Sequence, residues 1–195
     1  MYPVDVIRVT SPYGERKSDL WHYGVDFGAT PANINGNNVK AYRKGIVEVS
    51  KDNPDGYGNY VVLNHGDHCS VYCHLDVRKV VVGEEVTEGQ IIGFMGNSPT
   101  WRNMGTHLHF EIRNVPYGND FWERVTVNGR TNVPKYCVDP IPYLEGLEDI
   151  SEWAIEPRAW AMRNDISDGD RPKDPVTREE IWTMLYKYEK AKYLN

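Results

Sequence analysis

Short runs of β-branched and aromatic residues recur along the first three quarters of the chain, and polar turn residues separate them. The turns contain pairs such as Asp55-Gly56, Gly66-Asp67 and Gly96-Asn97. Runs bounded in this way are typical of strands, and long helical periodicity is absent. A mainly β domain with an antiparallel sheet is therefore expected. Its predicted strands are Val6–Thr10, Val39–Tyr42, Ile46–Ser50, Tyr60–His65, Ser70–His74, Ile91–Met95 and His107–Arg113.

The pattern changes to a helical one from Asp149 onward. Thr177-Arg-Glu-Glu180 fits a capping box, with a threonine at the N-cap and a glutamate three residues later. The apolar positions behind it have the spacing of one helix face; they are Ile181, Met184, Leu185 and Tyr188. We therefore expect a β domain over residues 1–147 and a small α-helical module over residues 148–195. A module this short is marginal as an independent unit, so we expect it to dock on the first domain or on copies of itself.

Composition and charge exclude several classes of protein. The chain has 195 residues, of which 40% are hydrophobic and 26% charged, as is usual for globular proteins. Its 22 lysines and arginines against 28 aspartates and glutamates give a net charge of −6, so no nucleic-acid partner is expected. No apolar run approaches the roughly 18 residues of a membrane span, so no membrane insertion is expected. The first residues show no signal-peptide pattern, which predicts synthesis in the cytoplasm.

The three cysteines predict neither a disulfide framework nor a thiolate zinc site. Cys69, Cys73 and Cys137 are an odd number without C-x-x-C spacing, so buried free thiols are expected. Cys73 precedes His74 in a predicted strand. Because neighbouring side chains on a strand alternate, we expect the two to point to opposite faces, with Cys73 a buried thiol rather than a nucleophile.

Histidines concentrate in three strand-like segments. His107 and His109 are two residues apart, so on a strand both imidazoles face one side. His22 and Asp26 are four apart in a glycine-rich segment that disfavours a helix, and His74 ends another strand-like run. Zinc in a hydrolase takes three ligands from such residues and leaves one position for water, and a further group must handle protons. Each spacing taken alone also occurs by chance.

A series of short motifs surrounds these residues in a fixed order. They are Tyr13-Gly-Glu-Arg16, His22-Tyr-Gly-Val-Asp26-Phe-Gly28, Gly45-Ile-Val47, Gly58-Asn59-Tyr60-Val61-Val62, Tyr72-Cys-His74-Leu75, Val86 to Gly93, Gly105-Thr-His107-Leu-His109-Phe-Glu111 and Asp139-Pro140. Over most of residues 7–113, and again over 138–143, the chain resembles the lysostaphin-type, or LytM-like, zinc endopeptidases of peptidoglycan.

The resemblance implies a role for each of five residues. It implies that His22, Asp26 and His109 hold one zinc ion per chain, and that His74 and His107 are catalytic. One of these two would take the proton of the attacking water and the other would donate a hydrogen bond to the developing oxyanion; which does which stays open. The implied substrate is peptidoglycan, cleaved in its stem peptides or cross-bridges.

Neighbouring segments have two interpretations each. Glu111 either orients the second ring nitrogen of the adjacent histidine ligand or forms a surface salt bridge. Ser98–Met104 and Asn114–Cys137 depart from the compact family pattern and are either groove walls that shape specificity or packed surface excursions. A glycine cross-bridge is therefore not assumed as the substrate. His65 and His68 match no ligand position of the family and are expected to be structural or solvated.

The C-terminal part has a resemblance of its own. Trp153-Ala154, Ile166, Asp168-Gly169 and Val176–Glu180 resemble one S-layer homology module, a class that binds cell-wall polysaccharide. A secondary wall polysaccharide is the implied partner. Because such modules usually occur in three copies, the single copy implies avidity through self-association. The capping box by itself explains part of the match.

Together these features predict a zinc-dependent peptidoglycan endopeptidase with a wall-binding module. The missing signal-peptide pattern favours a phage endolysin, made in the host cytoplasm and acting on the cell wall after release; a bacterial autolysin stays open. One rival is a catalytically silent LytM-like protein that binds walls or activates an amidase, which predicts no zinc. The other is a zinc peptidase that acts on a protein outside the wall.

Overall fold

The structure is a computed structural model that describes residues 1–16, 21–102, 104–118, 120–127, 130–145, 182, 183 and 186. The chain divides into two compact units, Met1–Glu145 and Gly146–Asn195. In the second unit the three described residues are helical. The predicted capping box and the S-layer-like motifs lie outside the described residues. In the described part of the chain, no helix is both long enough and apolar enough to cross a membrane.

The described residues of the first unit form strands, one α-helix and one 3₁₀ helix. The strands are β1 Val9–Ser11, β2 Gly14–Glu15, β3 Trp21–His22, β4 Val25–Gly28, β5 Asn38–Lys40, β6 Gly45–Asn53, β7 Gly58–Asn64, β8 Cys69–Arg78, β9 Glu85–Val86, β10 Ile91–Met95, β11 His107–Arg113, β12 Arg124–Val127, β13 Arg130–Pro134 and β14 Cys137–Val138. Helix α1 covers Pro140–Leu144, and a 3₁₀ helix covers Thr100–Arg102.

The main sheet is antiparallel throughout, as the sequence predicts. Its central order is β1-β4-β11-β8-β7-β6-β9, while β10 pairs with β5 and β8, and β14 pairs with β11. Strands β2 and β3 form a separate ladder, and β12 and β13 another. Strand β11 therefore lies between β4 and β8, and these three strands contain four of the five predicted site residues, namely Asp26, His74, His107 and His109.

The central strands bury both of their faces. Leu108, Phe110 and Ile112 of β11 belong to the main hydrophobic cluster. The alternate positions of the same strand face the other side, where Val71 and Phe121 form a second, smaller cluster. Because strand side chains alternate, this second side is the one that receives the histidines of β11, as the spacing of two predicts.

A bulge in β8 places His74 on this same side. Between β7 and β8, three residue steps along β8 match two along β7, and His74 has a φ of 65°. The extra residue breaks the alternation. Cys73 lies opposite His109 across the ladder, and the rings of His74 and His109 are 5.9 Å apart. The prediction that Cys73 and His74 point to opposite faces is therefore wrong, whereas the prediction of three buried free thiols is confirmed.

Candidate metal centre

Three side chains from three strands converge at the centre of the sheet. His22 ends β3, Asp26 lies in β4 and His109 lies in β11. Asp26 and His109 are directly opposite in the β4–β11 ladder. All three are buried. The ladder alone therefore brings two of the predicted ligands together.

The third ligand depends on a glycine in the connection between β3 and β4. A Cβ on Gly24 would overlap the carbonyl oxygen of Phe110 in β11. Without a side chain, this connection can lie directly against β11. The close approach brings His22 beside Asp26 and His109.

The three ligand atoms form a small triangle. Asp26 Oδ1 is 3.0 Å from His22 Nε2 and 2.9 Å from His109 Nδ1. The two nitrogens are 3.0 Å apart. Two histidines and one carboxylate are a ligand set of catalytic zinc sites, which keep a fourth position open.

The hydrogen bonds on the far side of each ring decide which atoms carry protons. His22 Nδ1 donates to the Pro12 carbonyl at 2.7 Å, and His109 Nε2 donates to Glu111 Oε1 at 3.0 Å. A neutral imidazole has one N–H, so in their neutral forms both rings would direct a lone pair toward the oxygen of Asp26. Three acceptors aimed at one point need a positive charge between them. Without a metal a proton on His109 Nδ1 supplies that charge, and the residues present fit a zinc ion in the same place.

The electrostatics of the triangle agree with this requirement. Burial by itself would raise the pKa of Asp26, but hydrogen bonds with His109 and His22 hold that pKa well below its usual range. Burial disfavours a charged His109, yet its hydrogen bonds with Asp26 and Glu111 raise its pKa to about 9. The centre thus attracts positive charge in spite of its burial.

The second oxygen of Asp26 is held by an arginine. Arg16 Nη2 donates to Asp26 Oδ2 at 2.8 Å and to Ser11 Oγ at 2.9 Å. This bond leaves the other carboxylate oxygen directed at the two histidines. Arg16 ends one of the motifs that carry the family resemblance, the one that begins at Tyr13. The sequence did not indicate that its side chain would hold Asp26.

Glu111 orients His109 from the opposite side. It is fully buried. Its Oε1 accepts from His109 and from the Tyr57 hydroxyl at 2.7 Å, and its Oε2 accepts from Arg113 Nε at 3.0 Å and Nη2 at 2.9 Å. Burial opposes its charge, but Arg113 and His109 keep its pKa well below the usual range. Of the two interpretations of Glu111, the orienting one is confirmed and the surface salt bridge is wrong.

Tyr57 and Arg113 are supporting residues that the sequence analysis did not identify. The Arg113 guanidinium also donates to the Tyr57 hydroxyl at 2.9 Å, which closes a ring of hydrogen bonds with Glu111. A signal for Arg113 existed, because it continues the period of two after His109 and Glu111 on the same strand. Tyr57 lies far away in sequence and gave no comparable signal.

The segment Asn114–Cys137 packs against this support and also reaches the groove. Arg113 Nη1 donates to the Phe121 carbonyl at 2.7 Å, and its guanidinium lies 4.6 Å from the Phe121 ring centroid and 4.5 Å from that of Trp122. Arg124 of the same segment lines the groove. Part of the segment is therefore packed against the protein and part forms a groove wall, while its effect on specificity stays a prediction.

His74 and His107 lie side by side next to the three ligands. Their ring centroids are 4.7 Å apart. His107 Nδ1 donates to the Gly105 carbonyl at 2.9 Å, and its Nε2 is 4.0 Å from Asp26 Oδ1. His74 Nδ1 donates to the Ser98 carbonyl at 2.6 Å. Burial, with the nearby imidazoles, lowers the pKa of His74 to about 3, so this histidine is neutral near pH 7.

Ser98 connects the segment Ser98–Met104 to the site. Its hydroxyl accepts from the backbone N–H of Asn59 at 2.8 Å and donates to the Leu75 carbonyl at 2.8 Å. These bonds hold the Ser98 carbonyl against His74. Ser98, the first residue of this segment, therefore positions His74. Neither a groove wall nor a packed surface excursion, the two interpretations of the segment, includes this role.

The other two histidines lie outside the centre, as predicted. His65 Nδ1 donates to the Lys44 carbonyl at 2.8 Å, and its Nε2 bonds to the Ser70 hydroxyl at 2.8 Å. His68 is buried between Tyr42 and Asp67. Both are structural residues of the sheet.

Two histidines and an aspartate of this antiparallel fold line a groove and form a ligand set that catalytic zinc sites of hydrolases use. The groove has a volume of about 780 Å³. Residues 21–125, more than half of the chain, match the model of Peptidase family M23, and the chain belongs to this family. The resemblance to lysostaphin-type peptidases is thereby confirmed at the level of the family.

Two curated relatives show how far the similarity extends. The chain is 34% identical over 166 residues to the DD-carboxypeptidase/endopeptidase Mpg of Neisseria meningitidis serogroup B, which covers 82% of this chain and 34% of Mpg. It is 36% identical over 122 residues to the peptidoglycan DD-endopeptidase ShyA of Vibrio cholerae, covering 57% of this chain and 26% of ShyA. The chain thus spans about a third or less of the length of these relatives.

Solved structures have the same fold. The catalytic domain of lysostaphin from Staphylococcus simulans is similar with a TM-score of 0.55 and 27% identity, over 71% of this chain and 92% of that one. A zinc-containing peptidase from Vibrio cholerae is similar with a TM-score of 0.51 and 33% identity, over 60% of this chain and 37% of that one.

Proposed function

We propose that this protein is a zinc-dependent endopeptidase that hydrolyses peptide bonds in the stem peptides or cross-bridges of bacterial peptidoglycan. The observation that carries the proposal is the convergence of three candidate ligand atoms, from His22, Asp26 and His109, beside two further histidines that line the same groove. The names of the relatives support it, since Mpg is a carboxypeptidase and endopeptidase and ShyA acts on peptidoglycan.

The residues around the centre divide the chemical tasks. A zinc ion at the three ligands supplies a Lewis acid and a bound water of lowered pKa. His74 and His107 each fix Nδ1 to a backbone carbonyl, so in the neutral form each presents the lone pair of Nε2. Either ring can take a proton there, and a protonated ring can then donate a hydrogen bond to an oxyanion.

Mass spectrometry of digested cell walls tests the activity. Purified walls of several peptidoglycan chemotypes are incubated with the protein as made, with a chelator and with zinc restored. We expect new peptide termini that disappear with the chelator and return with zinc, and that are absent with His107→Ala. Intact walls that nevertheless pull down the protein in all conditions would instead favour the alternative, a silent wall-binding or amidase-activating protein.

We also propose that residues 148–195 bind a secondary wall polysaccharide and that self-association strengthens this binding. The S-layer-like motifs at Trp153-Ala154 and Asp168-Gly169 support this proposal. The full chain is mixed with walls before and after the polysaccharide is removed, and pelleting is measured. Equal binding to both kinds of wall would contradict the proposal. Sedimentation that shows a monomer with full wall binding would contradict the self-association.

The finer role that we propose is a phage endolysin, which is made in the cytoplasm and reaches the wall after release. A peptidase unit followed by a wall-binding-like sequence supports this role. Cells that express the protein are expected to lyse only when a separately induced protein opens the membrane. Lysis without that opening would contradict the proposal.

A further inference from the structure

The charged side chains exposed in the groove are arginines. The groove is lined by Arg8, Arg16 and Arg124, whereas its two carboxylates, Asp26 and Glu111, are buried and bonded to histidines. The protein as a whole carries a net charge of −6. The exposed charge of the groove is therefore opposite in sign to that of the protein, which favours an anionic ligand at this place.

Arg8 lines the groove where its guanidinium lies against Gly28. A Cβ on Gly28 would overlap Arg8 Nη1, so the guanidinium occupies the space that a side chain at Gly28 would fill. Arg8 Nη1 also donates to the Ala29 carbonyl at 3.2 Å. Gly28 pairs with His107 across β4 and β11. It is two residues from Asp26 on the same strand, a distance of about 7 Å along one face of the sheet.

The partners of Arg8 and Arg16 differ. Arg16 is bonded to Asp26 and Ser11. Arg8 is exposed, and its guanidinium donates to one backbone carbonyl. Within the described ranges no carboxylate forms an ion pair with it. Because a guanidinium has five N–H donors in a planar fork, Arg8 retains donors that can bind a carboxylate in a bidentate manner.

We propose that Arg8 binds a free carboxylate of the substrate, one or two residues from the bond that is cut. The substrate is then an acidic wall peptide and not an uncharged glycine bridge. This inference rests on the proposed function. The spacing along β4 supports it, since one or two residues of an extended peptide span about 3.3–7 Å, and Gly28, whose Cβ position Arg8 Nη1 occupies, is two residues from Asp26.

Paired synthetic substrates test the inference. Two cross-linked stem peptides are prepared that differ only in whether the carboxyl group next to the scissile bond is free or amidated. We expect the unmodified protein to have a kcat/KM about tenfold or more higher for the free acid. Arg8→Gln is expected to lose this preference, because its activity should fall on the free acid and stay the same on the amide. Arg8→Lys is expected to retain part of the preference, because the positive charge remains although the planar guanidinium is lost.

Arg78→Gln is the matched control, because it removes the same charge from β8 outside the groove; its preference should equal that of the unmodified protein. If acid and amide are cut equally and Arg8→Gln changes neither, the inference is wrong while the proposed function stands. If neither peptide nor any cell wall is cut, the proposed function fails. Calorimetric binding of the same two peptides to the protein and to Arg8→Gln then decides the inference, and equal affinities would overturn it.

Discussion

Each histidine of the candidate centre uses one ring nitrogen to bond the protein and presents the other to the groove. The fixed nitrogen donates to a backbone carbonyl in His22, His74 and His107, and to a carboxylate in His109. Such acceptors set the tautomer and the ring orientation of metal-binding and catalytic histidines. A negatively charged acceptor also makes the imidazole more basic, which distinguishes His109 from the other three.

This distinction predicts the effect of neutralising Glu111. Glu111→Gln keeps the shape of the side chain but removes the charge behind His109, so zinc affinity should fall about 10–100-fold. Competition with a chelating dye measures the affinity. Glu123→Gln, which alters an exposed glutamate paired with Lys135, should leave it unchanged. An unaltered affinity in Glu111→Gln would mean that the carboxylate only fills space.

His65 predicts a pH dependence of stability away from the centre. Burial, with His68 and Arg43 nearby, lowers its pKa to about 4 from an ordinary value of 6.5. Between these values the unfolded chain binds a proton that the folded chain does not bind, so stability is lost as the pH falls from about 6.5 to about 4. Thermal melts of chelated protein and of His65→Asn, compared across this range, should show a smaller pH dependence in the variant. Identical slopes would argue against a half-buried His65 that stays neutral in the folded protein.

At the scale of elements, the centre depends on how closely β3, β4 and β11 approach one another. Two of the strands predicted from residue type, Ile91–Met95 and His107–Arg113, have the predicted bounds, whereas Ser70–His74 is only part of the longer β8. The first predicted strand, Val6–Thr10, is shorter at Val9–Ser11, since its pairing with β4 begins at Val9. Propensity indicates a strand, but hydrogen-bonding partners set its ends.

Gly24 provides the test at this scale. Gly24→Ala places a methyl group against the Phe110 carbonyl, which must push the β3–β4 connection and His22 away from β11. We expect a loss of stability of about 1–3 kcal/mol together with weaker zinc binding. Denaturant unfolding and dye competition measure the two effects. In the control Gly118→Ala, the added methyl group meets no neighbour within 4 Å, so stability and zinc affinity should both be unchanged. If Gly24→Ala also leaves both unchanged, the close approach of the β3–β4 connection to β11 is contradicted.

At the scale of the whole molecule, zinc should couple the site to the stability of the first unit. The ligands come from β3, β4 and β11, so an unfolded chain offers no preformed site. Zinc at 100 times its dissociation constant is expected to stabilise the fold by about 2.7 kcal/mol, which raises Tm by about 5–10 °C. Calorimetry with and without zinc measures the shift. In His109→Ala, zinc should raise Tm much less. If zinc raises Tm equally in this variant, the stabilising metal binds at another place.

The sequence by itself predicted that the first unit consists of antiparallel strands, and it predicted five residues of the candidate site. A period of two puts His107 and His109 on one face whatever surrounds the strand, and the ordered motifs supplied His22, Asp26 and His74. Tertiary structure decided what fixes them. The Ser98 carbonyl that holds His74 is a backbone group with no residue-type signature, and Tyr57 reaches Glu111 across 54 residues. The bulge that turns His74 toward the groove follows from pairing with β7, because local alternation predicts the opposite face.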